Sequence, residues 1–260
     1  MLRHGELCLA PMVRVGGLPF RALCLKYGAD KVWCEEIIAR RISQCTRVEN
    51  PTLGTIDFVH AVEKPGREPT STVIFRTAPE LEKGKLIFQM GAGSAADALE
   101  AALVVHKDVA GIDVNMGCPM KFSIQGGMGA ALLHKPDVAA DIIRTLRNNI
   151  NIPVLSYIHL YLVTAKIRLF DTVEETLVFM RNLEQAGASA ITVHFRRRAM
   201  RPRDPADWSG VKELVEGVSI PVYVNGDFYE PSDICHAIDN LNCAGVLLAR
   251  PLLLNPSLLR

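Results

Sequence analysis

The chain has 260 residues, 49% hydrophobic and 22% charged, with 29 Lys and Arg against 28 Asp and Glu for a net charge of +1. That length fits one domain around a large core, and the balanced charge excludes a general basic field for nucleic acid, so any RNA contact must be local. Seven cysteines, with no CxxC pair and no Cys/His quartet at zinc spacing, exclude a zinc framework and fit a reducing, intracellular setting.

Taken in order, the predicted strands are 7–12, 31–37, 85–90, 111–115, 164–169, 190–195, 221–225 and 245–250, with helical patterns such as 95–106 and 173–186 between them. The first strand begins so early that no leader with an apolar core is expected. The apolar run at 154–163 is broken by Ser156 and His159 and is too short to cross a bilayer. A cytoplasmic protein without a membrane partner or a metal is expected. Eight strands alternating with helices predict an α/β fold, a (β/α)8 TIM barrel spanning 1–260.

Two stretches break the rhythm. Residues 55–77 read as two short strands about Pro65-Gly66, a hairpin inserted before the third barrel strand. Residues 155–163 are surplus to a fifth strand that starts at Thr164, and the expectation is an insert that costs stability, because a slip of one residue turns a strand inside out.

Polar residues and glycines gather at the predicted C-terminal strand ends: Met12, Gln89, Asn115, Lys166 and Arg168, His194, Asn225-Gly226 and Ala249-Arg250. In an eight-stranded α/β barrel that is the reactive face. The strand 111–115 runs through Asn115, Gly117, Cys118 and Pro119 into the glycines 126, 127 and 129. A thiol in such a loop suits either a nucleophile or a proton donor, and its residue type alone does not choose. Lys166 and His194 at successive strand ends favour an electron-rich ligand. Asn225-Gly226-Asp227 and Leu248-Ala249-Arg250 end strands seven and eight, the phosphate-binding quarter of such barrels, and predict a phosphorylated cofactor. The basic run Arg196, Arg197, Arg198, Arg201 and Arg203 is either a solvated loop or a contact for a phosphate backbone. Gly91-Ala92-Gly93-Ser94-Ala95-Ala96, with Asp113 beyond it, formally meets a dinucleotide fingerprint but reads better as a turn opening a helix.

These motifs resemble the tRNA-dihydrouridine synthases, and most closely the eukaryotic dihydrouridine synthase 2 type. The likeness runs from Leu9-Ala10-Pro11-Met12 through Cys34-Glu35-Glu36, Phe88-Gln89-Met90-Gly91, Asn115-Met116-Gly117-Cys118-Pro119, Lys166-Ile167-Arg168 and Val224-Asn225-Gly226 to Asn255-Pro256-Ser257. The resemblance implies a flavin-dependent oxidoreductase in which NADPH reduces FMN and a D-loop uridine of tRNA is reduced across C5–C6. It implies FMN held by Pro11, Met12, Val13, Gln89, Lys166, His194, Asn225, Gly226, Asp227, Ala249 and Arg250. It also implies Cys118 as the catalytic proton donor to C5, and Asn115, Arg168 and Arg196 as substrate-binding residues. A monomer is expected, with tRNA and NADPH as its partners.

Against that pattern, the closing barrel helix and the C-terminal helical domain are expected to be absent or truncated. Phe195 stands where a glycine is expected, which would put a ring beside the flavin. Pro251 offers no N–H to a phosphate. The alternatives are an FMN barrel reductase of a small pyrimidine-like substrate and a catalytically inactive variant.

Overall fold

The computed structural model describes residues 5–62, 70–150 and 162–260. Eight parallel strands close a barrel: β1 (Glu6–Leu9), β2 (Lys31–Trp33), β3 (Leu86–Gly91), β4 (Gly111–Met116), β5 (Leu162–Leu169), β6 (Ala190–Arg197), β7 (Val222–Asn225) and β8 (Gly245–Leu248). Each strand pairs with its neighbours in sequence, and β1 closes on β8 with Glu6 opposite Gly245 and Leu9 opposite Leu248. All eight predicted strands are present.

Alternation along the strands separates two apolar regions. Cys8, Trp33, Ile87, Ala190, Tyr223 and Leu247 fill the barrel axis, with the rings of Trp33 and Tyr223 edge-on at 6.3 Å. The opposite faces, among them Val114, Ala165, Ile167, Ile191 and Val193, join the larger core beneath the helices. The Tyr223 hydroxyl donates to Glu6 Oε2 at 2.6 Å, and Lys31 pairs with Glu6. All three residues lie toward the N-terminal ends of their strands, away from the polar strand ends.

Helix boundaries follow local chemistry. Ser94 accepts from Asp97 N at 3.2 Å and caps the helix Ala95–Val105, so the fingerprint-like Gly91-to-Ala96 stretch is a strand end and a helix cap. Thr172 and Glu175 form a reciprocal capping box at the start of Val173–Gln185. The helix Pro136–Asn149 buries Ala139, Ala140, Ile143 and Leu146, the spacing of one helical face.

The expected hairpin is larger than the sequence pattern indicated. Thr55–Val62 and Thr70–Thr77 are antiparallel, and Thr46–Asn50 adds a third strand on the far side of the first. Thr46–Asn50 is almost wholly exposed and carries no apolar alternation, which hid it from a pattern search. Phe75 anchors this sheet to the barrel through an edge contact with Phe88 at 4.9 Å. The turn at Pro65-Gly66 lies outside the described residues.

Of the expected 155–163 insert, Leu162 and Val163 belong to β5, opposite Gly111 and Ile112, and residues 155–161 lie outside the described residues. The register beyond is regular, with Asn115 opposite Lys166. After β8 the chain makes the short helix Arg250–Leu254 and a tight turn at Pro256–Leu259, which buries Leu258 and Leu259. The Arg260 guanidinium lies 5.0 Å over the Tyr27 ring, so this segment caps the base of the helix Leu18–Lys26. No helix among the described residues is long and apolar enough to cross a membrane.

Candidate active site

Cys118 sits just past β4, and its loop is held by the side chain of Asn115. Asn115 Oδ1 accepts from Gly117 N at 3.0 Å and Cys118 N at 2.9 Å. Its Nδ2 donates to Gln89 Oε1 at 3.1 Å, and Gln89 Nε2 in turn donates to Asp113 Oδ2 at 2.7 Å. Thr164 Oγ1 completes the chain at Asp113 Oδ1, 2.6 Å. Strand register makes this possible, because Gln89 faces Asp113 and Asp113 faces Thr164 on adjacent strands. Burial pushes the Asp113 carboxyl up in pKa, against the opposing hydrogen bonds from Gln89 and Thr164. The network fixes which way each amide points, so Asn115 presents its acceptor to the cysteine loop.

A cleft of about 170 Å³ opens at this point, lined by Pro11, Val13, Gln89, Asn115, Cys118, Lys166, Arg168 and His194 among others. Burial pushes the Cys118 thiol up to about 11, with the Glu36 carboxylate adding to the effect. Such a thiol is protonated at neutral pH and suits a proton donor better than a nucleophile. The Lys166 ammonium is brought down to about 7 by burial and by Arg168. It donates to Asn225 Oδ1 at 2.9 Å. His194 is held well below its ordinary pKa by burial and by Lys166, and its Nδ1 is buried with no hydrogen-bond partner among the described residues. A cleft that disfavours cations and keeps an orphan ring nitrogen is suited to a polar, electron-rich guest.

His194 also lines a second, narrower cleft of about 30 Å³ with Arg196, Asn225, Gly226, Ala249 and Arg250. Asp227 bridges the two arginines there, accepting from Arg196 Nη2 at 2.5 Å and Arg250 Nη2 at 3.2 Å. Gly226 has φ +132, and an added Cβ would lie 3.1 Å from Ala206 Cβ, so only glycine suits the position. Two guanidiniums against one carboxylate leave this cleft a net cation.

Most expected site residues therefore fall into one of two joined clefts, and three do not behave as expected. Met12 does not line either cleft; its side chain packs on the core, and its carbonyl accepts from Gly16 N at 2.9 Å. Arg196 is separated from Cys118 and Asn115: its guanidinium is buried, holding Asp204 O and Asp227 in the second cleft. Asn115 lines the Cys118 cleft, but its acceptor is already used by the loop. The rest of the basic run diverges, with Arg197 paired to Asp207 and Arg198 directed at His134.

Phe195 corrects another expectation. Inward-facing His194 alternates with Phe195, which follows Ile191 and Val193 into the core under the helices and is 1% exposed. Its ring is on the other side of the sheet from the mouth. Pro251 does line the second cleft, in the first turn of its helix where the missing N–H costs no helical bond.

Glu36 was not singled out as a site residue by the sequence reading. It lines the Cys118 cleft, and its Oε1 accepts from Ser123 Oγ at 3.3 Å. The available signal was a pair of carboxylates at the end of the second strand, Glu35 and Glu36, of which Glu35 is spent on Arg14 N at 2.6 Å. Asp113 was likewise read only as part of a discarded fingerprint.

Comparison with known proteins agrees with this geometry. The family model for dihydrouridine synthases matches residues 8–260. The chain belongs to the dihydrouridine synthase family. It is 44% identical over 225 residues to the tRNA-dihydrouridine(20) synthase [NAD(P)+] of Saccharomyces cerevisiae, covering 85% of this chain and 57% of that one. It is 42% identical over 251 residues to the protein of the same name from Schizosaccharomyces pombe, covering 94% and 50%. The chain thus spans about half the length of these relatives. Among solved structures, DHODH from Eimeria tenella in complex with ferulenol is similar in fold, with a TM-score of 0.63, 13% identity and coverage of 98% of this chain and 78% of that one.

Proposed function

We propose that this chain is the catalytic barrel of a tRNA-dihydrouridine synthase, which reduces the C5–C6 bond of a D-loop uridine with FMN as cofactor and NADPH as reductant. The observation that carries the reading is the Cys118 thiol, its pKa pushed up by burial, in one cleft with Lys166 and His194, in a chain of the dihydrouridine synthase family.

The residues present fit the cofactor. The orphan Nδ1 of His194 and the Lys166 ammonium suit the polar edge of a flavin, with Pro11, Val13 and Gln89 along its ring system. The glycine cradle at Gly226, with Asn225, Asp227, Ala249 and Arg250, suits its phosphate. Bound there, FMN would supply the hydride that it takes from NADPH.

The chain's own groups supply the rest. A uridine turned out of its loop enters the Cys118 cleft, and Arg168 lines the wall it must pass. Arg168 Nη1 is steadied by the carbonyl of Arg197 at 3.0 Å, leaving its other donors for the base or its phosphate. Cys118 gives its S–H proton to C5 while hydride arrives at C6, so two electrons and two hydrogens are added and a thiolate remains. The Lys166 ammonium stabilises the negative charge that develops on the base carbonyl. Asn115 keeps the thiol on station.

The first test is the visible absorption spectrum of the purified chain, with the chromophore identified after denaturation. A yellow protein that releases FMN supports the reading; a folded protein that stays colourless in added FMN overturns it.

A further inference from the structure

Three elements converge on the Cys118 side of the first cleft. Glu36 leaves β2 toward the cleft, Ser123 belongs to the short helix Lys121–Gln125, and Gly129 begins the turn that follows. Glu36 and Cys118 line the same cleft, and Ser123 Oγ and Cys118 Cβ both border the space beside Gly129. Ser123 Oγ donates to Glu36 Oε1 at 3.3 Å, while Glu36 Oε2 is buried and has no hydrogen-bond partner among the described residues.

Two glycines keep this cluster open. A Cβ on Gly91 would fall 2.6 Å from Glu36 Oε1. Gly129, at φ +57, is pressed against Cys118, where an added Cβ would lie 3.0 Å from Cys118 Cβ and would also strike Ser123 Oγ. Side chains at either position would displace the carboxyl or the thiol, so the sequence reserves the space for them.

A buried carboxyl oxygen with no donor is an expensive place for a negative charge. Burial accordingly pushes the Glu36 pKa up, against the pull of Cys118 and Ser123. In its neutral form Glu36 has one O–H to give, and it lines the same cleft as the sulfur. The other charged groups facing the thiol are Lys166 and Arg168 on β5. Arg168 holds its proton too tightly to supply one, and the Lys166 ammonium, which gives one N–H to Asn225, is committed in the reading above to the charge developing on the base.

We propose that Glu36 is a positioning residue that returns a proton to Cys118 between turnovers, with Ser123 holding the carboxyl in place. The proposal rests on the uridine-reductase reading above. The thiolate left after protonation of C5 takes the proton of the Glu36 carboxylic acid, S–H forming as O–H breaks, and the resulting carboxylate is reprotonated from solvent.

Two readouts on the full chain test it. In the first, Cys118 is alkylated with iodoacetamide over a pH series and its peptide is quantified by mass spectrometry, for the unsubstituted chain, Glu36→Gln and Ser123→Ala. Removing the carboxylate lowers the alkylation midpoint in Glu36→Gln by about half a pH unit or more. An unchanged midpoint in a variant with an unchanged circular dichroism melt overturns the coupling, and needs neither flavin nor tRNA. In the second, dihydrouridine formation is followed through successive turnovers with excess tRNA. In Glu36→Gln later turnovers slow by roughly tenfold or more relative to the first, for which the thiol starts with its own proton. Equal slowing of all turnovers marks a structural role and overturns proton return, as does no slowing. If the unsubstituted chain reduces no uridine in tRNA, the reductase reading fails and proton return falls with it. The alkylation midpoints then still report whether Glu36 and Cys118 are coupled.

Discussion

The backbone N–H of Cys118 donates to Oδ1 of Asn115 at 2.9 Å, so the Cys118 loop is located by a side chain three residues before it on the preceding strand. That hydrogen bond ties the loop to the rigid barrel through Gln89, Asp113 and Thr164. Asn115→Ala removes the acceptor of two loop N–H groups and the donor to Gln89. Loss of about 1–3 kcal/mol of stability is expected, with a larger loss of uridine reduction than of flavin binding. Asn115→Asp keeps the acceptor but sets a carboxylate against Gln89 Oε1, and a smaller activity loss with comparable destabilisation is expected. Urea melts and a flavin titration on the same samples check both; equal loss of flavin binding and reduction would refute the loop-positioning role.

Phe195→Ala is expected to destabilise the chain by about 3–5 kcal/mol, the usual cost of emptying a buried aromatic site. The flavin absorption band should keep its position and shape, because the ring lies in the core on the far side of β6 from His194. A shifted band with little change in stability would restore the idea that this ring borders the cofactor.

The barrel was legible because its strands are short apolar runs at regular intervals and because the polar residues mark their C-terminal ends. Asn115, Cys118, Lys166 and His194 stand out that way, since a strand end is a position that sequence reports directly, and all four line one cleft. What Phe195 and Arg196 do was not legible, because a one-residue alternation decides which side of a strand faces the mouth, and a bulge between His194 and Arg197 falls at that point. Glu36 was missed for a related reason. Its partner Ser123 is 87 residues away, and a residue pair of that separation leaves no local pattern. The exposed strand Thr46–Asn50 was hidden because it buries almost nothing.

The second cleft gives a ligand-discriminating prediction. Arg250 donates to Asp227 at 3.2 Å and is partly exposed, so its loss leaves the buried Arg196–Asp227 pair intact. Arg250→Ala should weaken FMN binding by about tenfold, the effect of one lost charge-assisted contact to phosphate. Riboflavin, which lacks the phosphate, should bind the variant and the unsubstituted chain alike. Fluorescence titration with both flavins decides it, and parallel weakening of riboflavin would move Arg250 away from the phosphate. Asp227→Ala is a harsher change. It leaves Arg196 buried without its counter-ion, at a position with φ +55 that disfavours alanine, and a loss of about 3 kcal/mol or more is expected in urea denaturation.

Lys166 makes the stability of the apo-chain depend on alkaline pH with a definite sign. Its ammonium titrates near 7 in the folded chain, against an ordinary 10.5, because burial and Arg168 disfavour the charge and Asp113 and Cys118 only partly offset them. Below about 7 both folded and unfolded chains carry the proton, and the folded state bears the full penalty. Between about 7 and 10.5 the unfolded chain binds more protons than the folded one, so this residue makes stability rise with pH through that window. Lys166→Met removes the contribution, and the gap in urea midpoint between variant and unsubstituted chain should therefore change steadily in favour of the lysine from pH 7 to pH 10. Comparing the two proteins cancels the other titrating groups to first order. A gap that stays constant across that range would mean that Lys166 keeps its ordinary affinity for the proton, and that the cleft is wetter than its burial implies. An anionic guest should reverse the trend, because a nearby negative charge restores the ammonium, so FMN binding above pH 7 should take up protons and weaken as pH rises. Calorimetry in two buffers of different ionisation enthalpy measures that uptake, and its absence would separate Lys166 from the flavin site.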